Sequence, residues 1–311
     1  MTRKVKFVEP ARLYNMIKEE LDAAYFEVMS KGDLIDRGQL RSFEEHLAAF
    51  VGTKYAVGLN SGYDALHMSL RAAGIGPGDE VIVPAHTFVA TASAVVNVGA
   101  RPVLVDVGKD FNIDCDRVEE LLAGESRRGD SRIRAIIPVH LSGYMADMVR
   151  IMELAEKYRL VVIEDACQSL GAGMERTIAA AVNPVAEADK RPTPDLGRTA
   201  RRRTRKTERQ TGDLFAAEQD GSKAATPSPT PAGSGTTWAR AGSWGLTGCW
   251  SFYPFKILGG YGDGGAITTN DPEVALFATR MRYNGEDRRT GEYHGHGFTC
   301  LLDNLQAKPW P

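Results

Sequence analysis

The sequence has few cysteines, no long apolar run and no excess of charge of either sign. Only 4 of its 311 residues are cysteine, and no two form a CxxC pair, which favours ordinary thiols in a reducing compartment. The N-terminal residues lack the apolar core of a signal peptide, and no run approaches the roughly 20 apolar residues that span a bilayer. The 38 Lys+Arg and 40 Asp+Glu residues leave a net charge of −2, which gives no electrostatic argument for nucleic acid. We therefore expect a cytoplasmic protein with no membrane or nucleic-acid partner.

The overall composition is that of a soluble globular protein. Of all residues, 43% are hydrophobic and 25% are charged, which excludes a collagen-like, coiled-coil or wholly disordered chain. The length suits one large domain or two smaller ones.

Residues 176–241 differ in composition from the rest of the chain. They include a basic run at 198–209 and a Pro/Thr/Ser stretch at 226–231, and they have almost no aromatic residues. Such a segment cannot bury enough apolar surface to offset its own ordering entropy. We interpret it as a solvated insertion or a stretch foreign to this fold. The alternative is an arm that binds nucleic acid or an acidic partner.

Outside that segment, short apolar runs alternate with amphipathic helical patterns. This alternation is typical of crossover units on a parallel sheet that helices cover on both faces. Ligands of such open sheets bind beyond the carboxyl ends of the strands. We predict an α/β domain with strands at 55–59, 80–83, 101–106, 134–139, 160–164, 248–251 and 265–269. We predict helices at 10–30, 39–51, 64–73, 88–98, 116–122, 146–158 and 272–282.

Two motifs follow the first two predicted strands. Asn60-Ser61-Gly62-Tyr63 lies at a strand-to-helix junction, where a small polar residue and a glycine expose helix N-terminal amides that bind phosphate. Ser or Asn followed by Gly also caps helices for structural reasons alone. His86-Thr87-Phe88 follows the next strand, and Phe88 either lies flat on a cofactor ring or belongs to the core. Each motif by itself leaves both alternatives open.

A third motif, Glu164-Asp165-Ala166-Cys167-Gln168, ends the strand predicted at 160–164. A carboxylate at the end of a buried strand is costly unless it has a partner. A protonated ring nitrogen is one such partner, and a structural salt bridge is the alternative.

The fourth motif centres on Lys256, which follows Ser251-Phe252-Tyr253-Pro254-Phe255 and precedes the glycines of 259–265. Apolar neighbours would leave its ammonium group poorly solvated and favour a nucleophilic amine of the Schiff-base type. The glycines would let the backbone approach a bulky ligand. They satisfy G-x-G-x-x-G but precede a strand instead of opening a helix, so a dinucleotide site is not expected. The pair His294 and His296 lies in a glycine-rich loop without further ligands, so we expect no metal site.

Taken together, these motifs resemble those of the DegT/DnrJ/EryC1/StrS family of pyridoxal-phosphate-dependent sugar aminotransferases, within the fold-type I aminotransferase superfamily. The matching stretches are 60–107, 136–148, 161–172 and 248–271. The resemblance implies a fold-type I large domain with a mostly parallel central sheet flanked by helices, and pyridoxal 5'-phosphate as the cofactor.

The resemblance also implies a role for each motif residue. Lys256 matches the lysine that holds the cofactor as an imine, and Asp165 matches the partner of the cofactor's ring nitrogen. Phe88 matches the ring that stacks on the cofactor, and Gln168 matches the residue near its phenolic oxygen. The implied phosphate contacts are Ser61, Gly62, Tyr63 and Ser251.

The activity that the resemblance implies is transamination by a homodimer. An amino acid, L-glutamate by expectation, would displace Lys256, which then moves a proton between substrate and cofactor carbons. The amino group would pass to a ketosugar linked to a nucleoside diphosphate, in amino-sugar, surface-polysaccharide or antibiotic-sugar biosynthesis. Some family members carry histidine at this lysine and dehydrate their substrate, so the retained Lys256 favours transamination.

On this basis the chain divides into three parts. Residues 1–175 and 242–285 would form the cofactor-binding large domain, 176–241 a disordered basic and Pro-rich insertion, and 286–311 the start of a largely missing small C-terminal domain. Two alternatives remain: a truncated, catalytically impaired cofactor-binding or regulatory homologue, and a nucleic-acid binder that depends only on 198–209.

Overall fold

Strands and helices alternate along the chain, which confirms the predicted α/β class. The structure is a computed structural model that describes residues 6, 8–128, 131–177 and 236–308. The strands are β1 (Tyr55–Leu59), β2 (Glu80–Pro84), β3 (Arg101–Val105), β4 (Ile133–Ile136), β5 (Val161–Asp165), β6 (Gly173–Thr177), β7 (Thr236–Arg240), β8 (Thr247–Ser251), β9 (Gly265–Thr269), β10 (Glu286–Asp287) and β11 (Glu292–Tyr293). The helices are α1 (Pro10–Met16), α2 (Lys18–Lys31), α3 (Gly38–Val51), α4 (Gly62–Ala72), α5 (Val89–Asn97), α6 (Cys115–Arg128), α7 (Met148–Tyr158), α8 (Pro272–Met281) and α9 (Asn304–Ala307).

Seven strands form the central sheet, in the order β1-β9-β8-β5-β4-β2-β3. All neighbours from β8 to β3 run parallel, whereas β9 runs antiparallel to both β8 and β1. Strand β1 therefore points in the same direction as β5 and β8. The carboxyl ends of β1, β2, β5 and β8 lie along one edge of the sheet, and all four sequence motifs follow those ends.

Helices cover both faces of this sheet, because successive side chains of a strand point to opposite faces. Val81 and Val83 of β2 pack with helices α4, α5 and α8, whereas Ile82 between them packs with α6 and α7. Helix α3 covers the second face beside β1, β8 and β9, where it packs against Trp250. Burial on both faces explains why these strands are continuous apolar runs.

The N-terminal helix predicted over 10–30 is two helices, because the backbone of Ile17 leaves the helical region (φ −124°, ψ 24°). Within the described ranges, no helix is both long enough and apolar enough to cross a membrane.

Two strands lie at the ends of the segment that we predicted as an insertion, 176–241. Strands β6 and β7 form a separate antiparallel ladder that pairs Gly173 with Arg240 and Thr177 with Thr236, and Ala241 is buried in the core. The threonines suit a strand, but the surrounding basic and Pro-rich composition hid this pattern. The two ends of the segment are thus adjacent, because β6 and β7 pair with each other outside the central sheet.

The remainder of the predicted insertion, 178–235, lies outside the described residues, and so do its predicted disorder and the basic run at 198–209. Cation–π contacts flank the ladder: the Arg240 guanidinium lies 4.5 Å from the centre of the Phe50 ring, and that of Arg176 lies 5.0 Å from the Trp244 ring.

The segment 286–308 packs against the large domain. Leu302 is buried in the same core cluster as α3, the Asn304 main-chain N–H donates to the carbonyl of Leu34, and Asp287 forms an ion pair with Arg280 of α8. The domain boundary that we predicted at 285 therefore does not coincide with a break in the packing.

Candidate active site

The start of α4 meets the end of β8 at a very short distance. A Cβ atom on Gly62 would lie 2.7 Å from Ser251 Cβ and 2.8 Å from Cys167 Sγ, so only glycine lets the helix approach so closely. Ser61 caps the helix: its hydroxyl accepts from the Asp64 N–H at 3.1 Å and donates to Asp64 Oδ2 at 2.6 Å. The Ser61 side chain thus caps α4, as the structural alternative holds, and the first main-chain amides of the helix have no intrahelical acceptor.

A buried polar atom without a partner lies beside this helix start. Among the described residues, Asn60 Oδ1 is buried and has no hydrogen-bond partner. The Tyr63 side chain turns along the helix, where its hydroxyl accepts from Asn97 Nδ2 at 2.6 Å. What Tyr63 offers to a ligand at the helix start is therefore its main-chain amide.

Asp165 ends β5 as a nearly buried carboxylate, with 6% of its surface exposed. The Thr91 hydroxyl donates to its Oδ2 at 2.8 Å and the Cys167 N–H to its Oδ1 at 3.3 Å. Its main chain is held by Pro138, whose carbonyl accepts from the Asp165 N–H at 2.9 Å. Within the described part of the chain it forms no ion pair. No salt bridge among the described residues accounts for the burial of Asp165.

A structural role does apply to its neighbour Glu164, which points to the opposite face and is fully buried. Glu164 Oε1 accepts from the N–H groups of Trp244 (2.7 Å) and Gly245 (2.8 Å), and Oε2 accepts from the N–H of Gly242 (2.8 Å). His140 Nε2 lies 3.1 Å from Oε2. Because the Ala146 N–H donates to His140 Nδ1, Nε2 carries the ring proton and donates to Glu164. Glu164 therefore fixes the segment that leads into β8.

Lys256 lies in the turn after β8 and is half-buried. Burial raises the pKa of the Cys167 thiol well above its ordinary value, and the positive charge of Lys256 acts in the opposite direction. The lysine thus lies within electrostatic reach of Cys167. Tyr253 and Phe255 are 48% and 55% exposed, so the apolar shielding that we expected from them is not formed by the described residues.

The glycines after Lys256 approach other parts of this chain and not an open cavity. A Cβ atom on Gly265 would lie 2.3 Å from the main-chain carbon of Ser61, and one on Gly262 would lie 2.9 Å from Gln306 Nε2. Gln306 also accepts from the Tyr261 N–H at 2.9 Å. We expected these glycines to let the backbone approach a ligand. In the structure they pack against Ser61 and Gln306, and this packing positions the loop that carries Lys256. The sequence motifs did not reveal Gln306.

Two further motif residues lie at the same edge. Phe88 precedes α5 and is 67% exposed, so the alternative of a core residue is wrong. Its carbonyl accepts from the Thr91 N–H at 3.1 Å. The side chain of Gln168 reaches the turn after β4, where its Oε1 accepts from the Ser142 N–H at 2.8 Å.

Contacts therefore connect Phe88, through Thr91, to Asp165, and onward through Cys167 to Gly62 and Ser251. Lys256 lies in the turn that follows Ser251. Sequence reasoning missed Thr91, although it lies three residues after the His86-Thr87-Phe88 motif. Among the described residues, no cluster of three or more His, Cys, Asp or Glu side chains is arranged to hold a metal.

Solved structures of aminotransferases share this architecture. The chain aligns with the crystal structure of NtdA from Bacillus subtilis, which has pyridoxamine phosphate bound, with a TM-score of 0.71 and 28% identity over 99% of this chain and 55% of that one. The fold and the site thus define the aminotransferase class.

The sequence comparisons narrow this class to one family. The model of the DegT/DnrJ/EryC1/StrS aminotransferase family matches residues 15–185 and 228–308, and the chain belongs to that family. Pyridoxal 5'-phosphate is the cofactor of the family, which confirms the predicted cofactor. Residues 186–227 fall outside the match, a narrower insertion than 176–241.

Two curated relatives show the range of named substrates. The chain is 34% identical to dTDP-3-amino-3,4,6-trideoxy-alpha-D-glucose transaminase from Streptomyces venezuelae, over 98% of this chain and 62% of that protein. It is 33% identical to UDP-2-acetamido-2-deoxy-3-oxo-D-glucuronate aminotransferase from Pseudomonas aeruginosa, over 97% of this chain and 65% of that protein. The chain thus spans less than two thirds of the length of these relatives.

Proposed function

We propose that this protein is a pyridoxal-phosphate-dependent aminotransferase that transfers an amino group from L-glutamate to a ketosugar linked to a nucleoside diphosphate. The observation that carries the proposal is Asp165, a nearly buried carboxylate with hydrogen-bond donors but no ion pair among the described residues. It lies at the strand edge that also holds a helix start and a lysine. A buried anion of this kind suits a protonated ring nitrogen.

The phosphate group of the cofactor fits the junction of α4 and β8. The first amides of α4, from Gly62 and Tyr63, carry the positive end of the helix dipole. The Ser251 side chain lies next to Gly62 and adds a hydroxyl donor, while Ser61 sets the direction of the helix start. These four residues are our proposed phosphate contacts.

The ring of the cofactor fits between the β2 and β5 ends. Asp165 would hold the ring nitrogen protonated, and the exposed Phe88 would stack on the ring face. Gln168 would lie near the phenolic oxygen, with its amide group already oriented by Ser142.

Lys256 is the proposed catalytic base and covalent anchor. When bound, the cofactor supplies an electron sink that stabilises negative charge on the substrate carbon. From its turn after β8, Lys256 would hold the cofactor and then move a proton between two carbons.

The substrate class is supported by the dTDP- and UDP-sugar names of the two relatives. A homodimer is supported by the exposed aromatic side chains of Tyr253 and Phe255 beside the site, because exposed apolar patches mark interaction surfaces. All four cysteines are free thiols, which supports a reducing, cytoplasmic compartment.

Borohydride trapping tests the proposal directly. The chain is mixed with pyridoxal phosphate, reduced, digested and mapped by mass spectrometry, and we expect the label on the peptide that contains Lys256. Lys256→Ala should abolish the label, whereas Lys54→Ala, at an exposed lysine, should retain it. A label elsewhere would refute the assignment.

Amino transfer is then assayed with L-glutamate and a panel of dTDP- and UDP-linked ketosugars. Formation of 2-oxoglutarate and an aminosugar supports the proposed activity. Cofactor trapping without turnover on any ketosugar would instead favour the regulatory homologue.

A further inference from the structure

Two threonine hydroxyls form a chain that ends on the proposed cofactor carboxylate. Thr91 lies in the first turn of α5 and is fully buried. Its Oγ1 lies 2.8 Å from Asp165 Oδ2, and Thr87 Oγ1 lies 2.9 Å from Thr91 Oγ1. Thr87 is half-buried, so the chain runs from the protein surface to a buried anion.

The direction of these hydrogen bonds follows from their chemistry. An ionised carboxylate only accepts hydrogen bonds, so Thr91 must donate its single hydroxyl proton to Asp165. The Thr91 oxygen is then free only to accept, and Thr87 must donate to it. Because each donor polarises the next, the Thr91 bond to the carboxylate is stronger than that of an isolated hydroxyl.

This arrangement fixes the orientation of Asp165 and supplies a donor to each of its oxygens. Thr91 holds one carboxylate oxygen and the Cys167 N–H holds the other, at 3.3 Å, so the group cannot rotate freely. Each bond brings a donor proton to a carboxylate oxygen. When the cofactor is bound, Asp165 and the ring nitrogen would share one proton. A carboxylate that already accepts hydrogen bonds would leave that proton on the ring nitrogen.

We propose that Thr91 is a positioning residue for the reaction: its hydroxyl, supported by Thr87, holds Asp165 as the ionised acceptor that keeps the cofactor's ring nitrogen protonated. The proposal rests on the proposed function. The proton of Thr91 stays on Thr91, and the ring proton stays on the ring, so no group is consumed.

The test compares Thr91→Val, which keeps the shape but loses the hydroxyl, with Thr91→Ser, which keeps the hydroxyl. Each protein is loaded with pyridoxal phosphate that carries ¹⁵N in the ring, and the ¹⁵N NMR shift reports whether that nitrogen is protonated. We expect the protonated signal in the wild type and in Thr91→Ser. In Thr91→Val the signal should move toward that of the neutral ring.

The rate at which L-glutamate aminates the bound cofactor should change in parallel. A hydrogen bond to a charged group accounts for about a tenfold effect or more, so Thr91→Val should slow this step about tenfold. Thr91→Ser should stay within about twofold of the wild type. Thr87→Val removes only the supporting donor, and a slowing of about threefold in the same direction is expected. If Thr91→Val does not fold, Thr87→Val tests the proposal in its place.

The control is Thr279→Val, since Thr279 is another helical threonine, half-buried, whose hydroxyl donates to the Ala275 carbonyl at 2.8 Å. It should leave both the NMR signal and the rate unchanged. An unchanged ¹⁵N shift and rate in Thr91→Val would overturn the inference, even if the melting temperature falls. A wild-type chain that binds no cofactor would overturn the proposed function as well, which distinguishes the two failures.

Discussion

The buried carboxylate of Glu164 gives the sharpest stability prediction. Its Oε1 accepts from Trp244 and Gly245 at 2.7 and 2.8 Å, and its Oε2 accepts from Gly242 and His140 at 2.8 and 3.1 Å. All four partners are donors. In Glu164→Gln, the new NH₂ group is also a donor, so two of the four donors lose their acceptor whichever way the amide is turned.

The magnitude follows from that count. A buried donor without an acceptor costs about 1–3 kcal/mol, so two of them cost about 2–6 kcal/mol. Small shifts of the 242–245 backbone would recover part of this, and we expect Glu164→Gln to lower the free energy of unfolding by about 3 kcal/mol. This is a large fraction of the roughly 5–15 kcal/mol that a typical domain has.

Urea denaturation followed by circular dichroism and tryptophan fluorescence measures the effect, and Trp244 lies within the affected segment. Glu153→Gln is the control, because Glu153 is an exposed partner of Arg150 on α7 at 3.3 Å and such pairs contribute little. If Glu164→Gln lost less than about 0.5 kcal/mol, the four-donor argument would be wrong.

Three other perturbations test separate parts of the molecule. Asp165→Asn removes the charge opposite the ring nitrogen, so amino transfer should fall about a hundredfold or more. Cofactor binding, measured by absorbance, should persist. Normal turnover in this variant would exclude the role assigned to Asp165. Replacing 178–235 by Asn-Gly should leave the fold and cofactor binding intact, because Thr177 and Thr236 are already paired. The shorter loop should raise the free energy of unfolding by up to about 3 kcal/mol. Loss of cofactor binding in thermal-shift assays would contradict this prediction. Hydrogen bonds from Arg289, and then Arg280, hold the pKa of Asp287 well below its usual range, so the stability that they add is present at pH 7 and is lost as the pH falls below about 4. Asp287→Asn should accordingly lower the melting temperature at pH 7 and progressively less in acid, and an equal loss at every pH would argue against the charged pair.

The amino-acid sequence by itself determined the alternation of strands and helices and the strand ends that carry the motifs. Each of these depends on a pattern within about ten residues: an apolar run, an amphipathic period, or a serine and glycine before a helix. The expected strand positions therefore agree with the structure within a few residues, and Asp165 and Lys256 were identifiable from their neighbours alone.

Only the tertiary structure decided which side chains meet. Thr91 reaches Asp165 across 74 positions of sequence, and Glu164 binds N–H groups 78 to 81 positions away, so no local pattern marks either contact. Strand alternation then places Asp165 and Glu164 on opposite faces, which gives two adjacent carboxylates different roles. Likewise, β6 and β7 are strands because they pair with each other across the segment between them, a contact that their basic composition does not reveal.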